Sequence, residues 1–419
     1  MASGNACRIT RTTAWSWRPP RKLIERHPLV PPPAFFNQSR MEPEYSVEQL
    51  ILSQYPVVAT VAEALCCEND DLATLLLLCR GTSQYWREIR RWRLVYQSDD
   101  ELDEINSDWT DARMVDLECT RIVDVSRLGD VHTLNLRQTQ VKDVSALGRV
   151  HTLDLIKTEV IDVSALGNVH TLFLSGTKVE DVSALRTVNT LFLGGTKVTD
   201  VSALGDVRIL YLGNTRISNV SMLGKLHRLD LSYTDVIDVP ALGNVHELDL
   251  SRTTVTDVSS LGGVHFLDLT GTKVKNVSTL GTVHTLILTE TKVTDVSALG
   301  GVHTLYLGGT AVADVSALGR VYILDLGVTR VTDVSTLKNV HTLNLSGTGV
   351  VDVSALGNVH TLDLSETNVV NVSALGGVHT LDLSRTKVVD ISALTNVQTL
   401  VMPNGKTRCI RPRLVIKPR

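Results

Sequence analysis

The sequence predicts an α/β-type solenoid: a parallel β-sheet coil with a short 3-10 or turn-like convex side, preceded by a small α-helical segment. Three observations predict it. First, Asp or Asn recurs every 19 residues, from Asp124 and Asp143 to Asn371 and Asp390, without one insertion. Fifteen such units span 112–396, and a repeat that never slips requires identical coils stacked on one another. Second, aliphatic and polar residues alternate within each unit, as Leu362 and Leu364 do around Asp363, the mark of a strand with one buried face. Third, a tight turn of the kind Asp-Val-Ser-Ala-Leu follows each strand, so the convex side is very short.

Residues 1–45 read as a disordered, proline-rich basic arm. Positions 1–40 carry seven Arg or Lys against Glu25 alone, a composition that also permits a mitochondrial presequence. Met41 is a second candidate start. No apolar signal-peptide core follows the early arginines, so an intracellular chain, cytoplasmic or nuclear, is expected. Residues 46–98 read as a helical segment, with helices over 46–54, 57–66, 70–79 and 84–92. They are expected to cap the open end of the solenoid. Between Asp99 and Asp111 seven of thirteen residues are acidic, which reads as a solvated linker over 99–111.

The solenoid proper is expected over 112–404, as fifteen units and a terminal strand. Val359, Val369, Val372 and Leu375 should close one coil inward around Leu362 and Leu364. Short polar side chains such as Asp390 or Ser392 should cap the backbone N–H groups of the convex turn. Glycine follows the turn leucine in twelve of fifteen units, with Arg186, Lys338 and Thr395 as exceptions. It implies either a left-handed backbone or a close approach of coils. Sequons at Asn219, Asn276 and Asn371 fall in the Asp column, read as a buried turn, and are expected to cap turns rather than carry glycans. Residues 405–419, with six basic residues and no acid, read as a basic tail.

Composition excludes several classes. Forty-one basic against 45 acidic residues give a net charge of −4, so nucleic-acid binding through a polycationic surface is not expected. Apolar residues make up 43%, yet only 18 are Phe, Trp or Tyr, so the core must be aliphatic. No apolar run approaches the ~20 residues of a membrane span. The six cysteines show neither metal-ligand spacing nor a disulfide framework.

The units resemble leucine-rich repeats. The strand motif appears as Val378, Leu381, Leu383 and Thr386, and the Asp-Val-Ser-Ala-Leu turn is similar to the internalin and phosphatase-1-regulator type. The resemblance covers about two-thirds of the chain and implies a protein-binding solenoid. The 19-residue unit is shorter than usual, and Thr120 to Thr386 replace the family's asparagine column in all fifteen units. Their hydroxyls are expected to donate to a neighbouring coil's carbonyl. A weaker resemblance, to the F-box motif, rests on Pro56, Val61, Leu65 and the Asp71-Leu72-x-x-Leu75-x-x-Leu78-Cys79-Arg80 segment, with Trp92 and Leu94 near its end. It departs by two extra residues before Leu72 and by Thr82 in place of a tryptophan. It implies that residues 54–96 bind an adaptor of a cullin-type ubiquitin ligase.

His, Asp and Ser recur in nearly every unit, but a repeated column is no single catalytic constellation, so no enzyme and no cofactor are expected. The histidine column, filled in eleven of fifteen units, reads as a half-exposed stacking ladder. With no carboxylate evident beside it, no metal is assigned. The informative positions are those pointing out of the sheet. There Phe173, Phe192 and Tyr211 fall on consecutive coils, followed by Asp230, Asp249 and Asp268, then Ile287 and Tyr306, with Ile209 and Phe266 in a flanking column. These are expected to be exposed, with the nine residues Phe173, Phe192, Tyr211, Asp230, Asp249, Asp268, Phe266, Ile287 and Tyr306 contacting a protein partner. The function expected is a non-enzymatic protein-recognition scaffold. An F-box-like substrate receptor and an internalin-like adhesin or effector are the alternatives.

Overall fold

Alternation of leucine with polar residues, repeated at a fixed 19-residue interval, lets each short strand pair with its own copy one coil away. A computed structural model describes residues 113–409 and the two-residue strand β1 (Leu94–Val95). The expected basic arm, helices over 46–92, F-box-like segment, acidic linker and residues 410–419 lie outside the described residues.

Sixteen three-residue strands, β2 (Met114–Asp116) to β17 (Thr399–Val401), form a parallel sheet. Pairing is in register at one coil's offset, so Leu172 faces Leu191 and Phe173 faces Phe192. β1 pairs in parallel with β2 at one edge, and β18 (Thr407–Cys409) runs antiparallel to β17 at the other. Both edges, otherwise rows of unpaired backbone groups, are thus covered by strands. The helical cap expected at the N-terminal edge lies outside the described residues. At the C-terminal edge, residues read as a basic tail supply a strand instead.

Inside the coils the core is the aliphatic ladder anticipated. Val359, Leu362, Leu364, Val369, Val372 and Leu375 of one coil are each at most 1% exposed. Their equivalents stack from Val115 to Leu400 in one continuous cluster. Such a core gains from dispersion and burial without needing aromatics.

Two turns close each coil. The first follows the strand and takes a positive φ at its third residue in all fifteen coils, the type II signature. Glycine supplies it in five coils, at Gly176, Gly195, Gly271, Gly309 and Gly347, and other residues in ten. The conformation persists because the N–H of that residue donates to the next coil, as Cys119 does to Arg137 at 2.9 Å. The threonine column completes this turn. Thr139 Oγ1 donates to the Leu136 carbonyl three residues earlier in its own coil, at 2.6 Å. The neighbouring coil's carbonyl, expected as acceptor, is not used, because the turn brings the local carbonyl closer. Val328 is the least suited occupant of the left-handed position, β-branched at φ 56° and 70% exposed. Val328→Gly should stabilise the protein by about 1 kcal/mol, the left-handed penalty less glycine's greater unfolded-state entropy. Chemical denaturation of wild type and variant checks this.

The second turn opens with the Asp column. Asp143 Oδ1 accepts the backbone N–H of Ser145 at 2.9 Å, an Asx turn rather than a cap on the 3-10 segment Ser145–Leu147 itself. Fourteen of fifteen coils repeat this bond. The exception is Asp238, opposite Pro240, which has no N–H to give. Asn219, Asn276 and Asn371 make the same bond at 3.0–3.1 Å, on an exposed turn and not the buried one expected. The glycine after the turn leucine is explained by close approach. Gly148 has an ordinary φ of −63°, but a Cβ there would lie 2.4 Å from the Ala165 carbonyl oxygen of the next coil.

Candidate functional site

Each coil turns two apolar residues of its strand segment inward, leucines in all but Val115 and Met402, and presents the residue between them, with its neighbours two positions away, on the open face of the sheet. The residues between them form the column running from Asp116 to Val401. In its N-terminal half Phe173, Phe192 and Tyr211 stack face to face, with ring centroids 4.4 and 4.3 Å apart. Parallel in-register pairing enforces this overlap, because equivalent Cβ atoms sit one strand spacing apart. The Arg228 guanidinium lies 5.4 Å from the Tyr211 ring centroid and ends the strip with a cation–π contact.

The column is less open than the alternation implied. Phe173, Phe192 and Tyr211 are half-buried, as are Ile209, Phe266 and Asp268. Asp230, Asp249, Ile287 and Tyr306 are 1, 0, 0 and 3% exposed, which corrects the expectation that they stand free in solvent. The reason is lateral. A side chain in this column is hemmed by its equivalents one coil away and by the flanking columns, so the face packs upon itself.

Burial transforms the electrostatics of the aspartates. Asp230 and Asp249 each accept one backbone N–H through Oδ1, from Ser232 at 2.8 Å and Ser251 at 2.6 Å, while Oδ2 is buried without a hydrogen-bond partner. Desolvation therefore pushes the Asp230 carboxyl up to about 7, although Ser232 and Arg228 oppose the shift. Asp249 is pushed well above the carboxylate range by burial and by Asp268 and Asp230 on either side. Burial also raises Asp268 and Asp325, and takes Asp154 and Asp363 to about 6. The turn aspartates behave oppositely, since the Ser145 N–H holds Asp143 below its ordinary value. At neutral pH the triad thus carries less charge than its three carboxyls suggest.

Beside the face runs the histidine ladder, which stacks as expected. Its rings lie 4.5–4.6 Å apart over His132–His151–His170. Tyr322 bridges the two later runs into nine stacked rings from His227 to His379. The histidines and aspartates do not combine as a triad would require. His151 Nδ1 meets Thr152 Oγ1 at 3.3 Å, and the turn aspartates bond backbone N–H groups. Sequence reasoning missed the flanking pair Arg228 and Glu247, joined at 3.4 Å, although their 19-residue spacing was the visible signal. No helix among the described residues is long and apolar enough to cross a membrane.

No protein-family model matches the chain, and no curated protein matches it by sequence. Solved structures do match it, and they are leucine-rich-repeat proteins. A leucine-rich-repeat protein of Leptospira interrogans is similar over 72% of this chain and 93% of its own, at 19% identity and a TM-score of 0.60. The functional domain of InlJ from Listeria monocytogenes, which includes a cysteine ladder, matches 65% of this chain and 68% of its own at 18% identity and a TM-score of 0.52. An internalin of the same species matches 63% of this chain and 85% of its own at 23% identity, with a TM-score of 0.50. The fold is therefore a leucine-rich-repeat solenoid. At these identities the likeness concerns fold alone.

Proposed function

We propose that this leucine-rich-repeat solenoid is a protein-recognition scaffold whose anchor is the strip Phe173, Phe192 and Tyr211. The observation that carries the reading is the strip itself. Three stacked aromatics lie on consecutive coils of the sheet face, in a chain with only 18 aromatics. Being half-buried, the rings are already ordered before a partner arrives, so little side-chain entropy remains to be lost on binding. Arg228 at one end adds a donor with a planar face, and aromatic and arginine side chains are the residue types that dominate binding hot spots. The buried Asp230 and Asp249 and the half-buried Asp268 extend the same column.

The test replaces all three aromatics with asparagine rather than aspartate, because an aspartate in this column becomes buried and hard to ionise. Asparagine already occupies the column at Asn135 and Asn344, where its Oδ1 accepts the N–H two residues on, at 3.0 and 2.8 Å. Loss of the anchor should weaken partner capture by on the order of thirtyfold, the equivalent of about 2 kcal/mol. Ile161→Asn, at an exposed position outside the strands, is the control and should leave capture unchanged. Quantitative affinity capture at equal folded fraction reads the difference. Equal recovery by wild type and the triple variant would refute the strip as anchor.

A further inference from the structure

The ring ladder changes character at one place. Eight of its eleven histidines hold Nδ1 at 3.1–3.3 Å from the hydroxyl of the threonine that follows. His227, His246 and His265 are followed by Arg228, Glu247 and Phe266 instead, so three consecutive rings lack that partner. Their planes are tilted by 20–25° over 227–284, against 10–13° along His341–His360–His379, so histidine-on-histidine stacking is loosest here. Glu247 is also the only acidic residue in its column, which holds Thr in most coils. One donor atom each from His227, His246 and Glu247 lie within 4.8 Å of one another.

We infer that His227, His246 and Glu247 form a binding site for one divalent transition-metal ion of the zinc, nickel or copper type. Two imidazole nitrogens and one carboxylate oxygen suit these borderline ions, whereas calcium and magnesium take oxygen sets. The two oxygens of Glu247 have separate tasks. Oε2 faces Arg228 Nη1 at 3.4 Å, and Oε1 faces His246 Nδ1 at 4.0 Å. Arginine therefore orients the carboxylate from behind and leaves Oε1 for the ion, the arrangement by which outer groups fix a metal ligand. Zinc–ligand bonds of about 2.1 Å place tetrahedral donors roughly 3.4 Å apart, so the three must converge by about an ångström. Their exposure permits this, since the His246 and Glu247 side chains are 48 and 28% accessible. Three protein ligands leave a fourth position for water or for a side chain of a bound partner. Elsewhere the ladder offers histidines with Nδ1 committed to threonine, and His265 is followed by Phe266 in place of a carboxylate, which explains why one site and not a row of sites is expected.

The experiment uses the full-length chain without an affinity tag, stripped of metal with chelator. Titration calorimetry with zinc chloride should find one ion per chain. Glu247→Gln should weaken binding about tenfold or more, and His246→Gln further, while His360→Ala leaves both affinity and stoichiometry unchanged. Electron paramagnetic resonance of the wild type with one equivalent of Cu²⁺ should show two nitrogen donors, a readout independent of how any variant folds. Absence of saturable binding below millimolar zinc would overturn the site. So would an unchanged affinity in Glu247→Gln, or a stoichiometry that His360→Ala lowers as much as His246→Gln does.

Discussion

Deleting residues 298–300 from one coil should split the cooperative unfolding of the solenoid and cost more than any single core substitution. The three residues removed are Ala298, Leu299 and Gly300. Leu299 is fully buried, and its carbonyl accepts the Val302 N–H at 3.1 Å to end the 3-10 segment Ser297–Gly301. A Cβ at Gly300 would lie 2.5 Å from the Ala317 oxygen, so this segment lies directly against the next coil. Truncating Leu299 to alanine would leave a cavity and cost about 2–5 kcal/mol, but the coil would still close. Sixteen residues cannot close the same loop with strands Thr285–Ile287 and Thr304–Tyr306 in register. Either the strand pairing or the turn must be given up, and the interfaces on both sides fail together. Stability in a repeat array is a sum over coils and nearest-neighbour interfaces, so the loss exceeds the single-residue figure and divides the chain into two blocks. Calorimetry should resolve two transitions where the wild type shows one. A single transition at an unchanged midpoint would mean that the coils are not the units of folding.

Between pH 4 and pH 7 the wild type should lose stability, and Asp249→Asn should abolish much of that loss. The raised carboxyls set the sign. Asp230, Asp249, Asp268, Asp154, Asp325 and Asp363 all hold their protons in the folded state to higher pH than when unfolded. At pH 4 Asp230, Asp154 and Asp363 keep their protons in the folded state, whereas an unfolded aspartate is already about half ionised. As pH rises toward 7 the unfolded chain ionises first, so folding becomes less favourable, by about 1.4 kcal/mol for each tenfold difference in proton affinity between the two states. For Asp230, raised from 3.8 to about 7, this is on the order of 4 kcal/mol if it acts alone, and less when its neighbours share the proton. The turn aspartates have lowered values, so their contribution is present above pH 4 and lost below it. His132, His151, His284 and His360 are lowered too, and their contribution is lost as pH falls below 6.5. These rings lie near the surface, and the buried carboxyls outweigh them. The stability maximum should therefore fall near pH 4–5. Asparagine at 249 keeps the acceptor for the Ser251 N–H, as Asn344 does for Ser346. The variant should be more stable than wild type at pH 7, and the difference should shrink as pH falls toward 4. Urea midpoints at the two pH values decide it, and a variant less stable than wild type at pH 7 would contradict the buried ladder.

Sequence alone determined the coil length, the strand positions and the inward columns of this protein. These are local or periodic properties, since a 19-residue interval with leucines two apart permits few other closures. It also placed the stacking of Phe173, Phe192 and Tyr211 and of the histidine runs, because equal spacing along the chain becomes vertical alignment between coils. The tertiary structure alone decided how tightly the coils approach one another. That distance buries Asp230, Asp249, Ile287 and Tyr306, which alternation had assigned to solvent, and raises the carboxyls that look like ordinary surface charges in the sequence. It turns the threonine hydroxyl toward its own coil, holds Val328 in the left-handed turn position that Gly347 fills without strain, and sets Glu247 beside two histidines. The physical reason is that a repeat pattern specifies which atoms face which direction, whereas burial, pKa and ligand geometry depend on separations between coils that no single unit encodes.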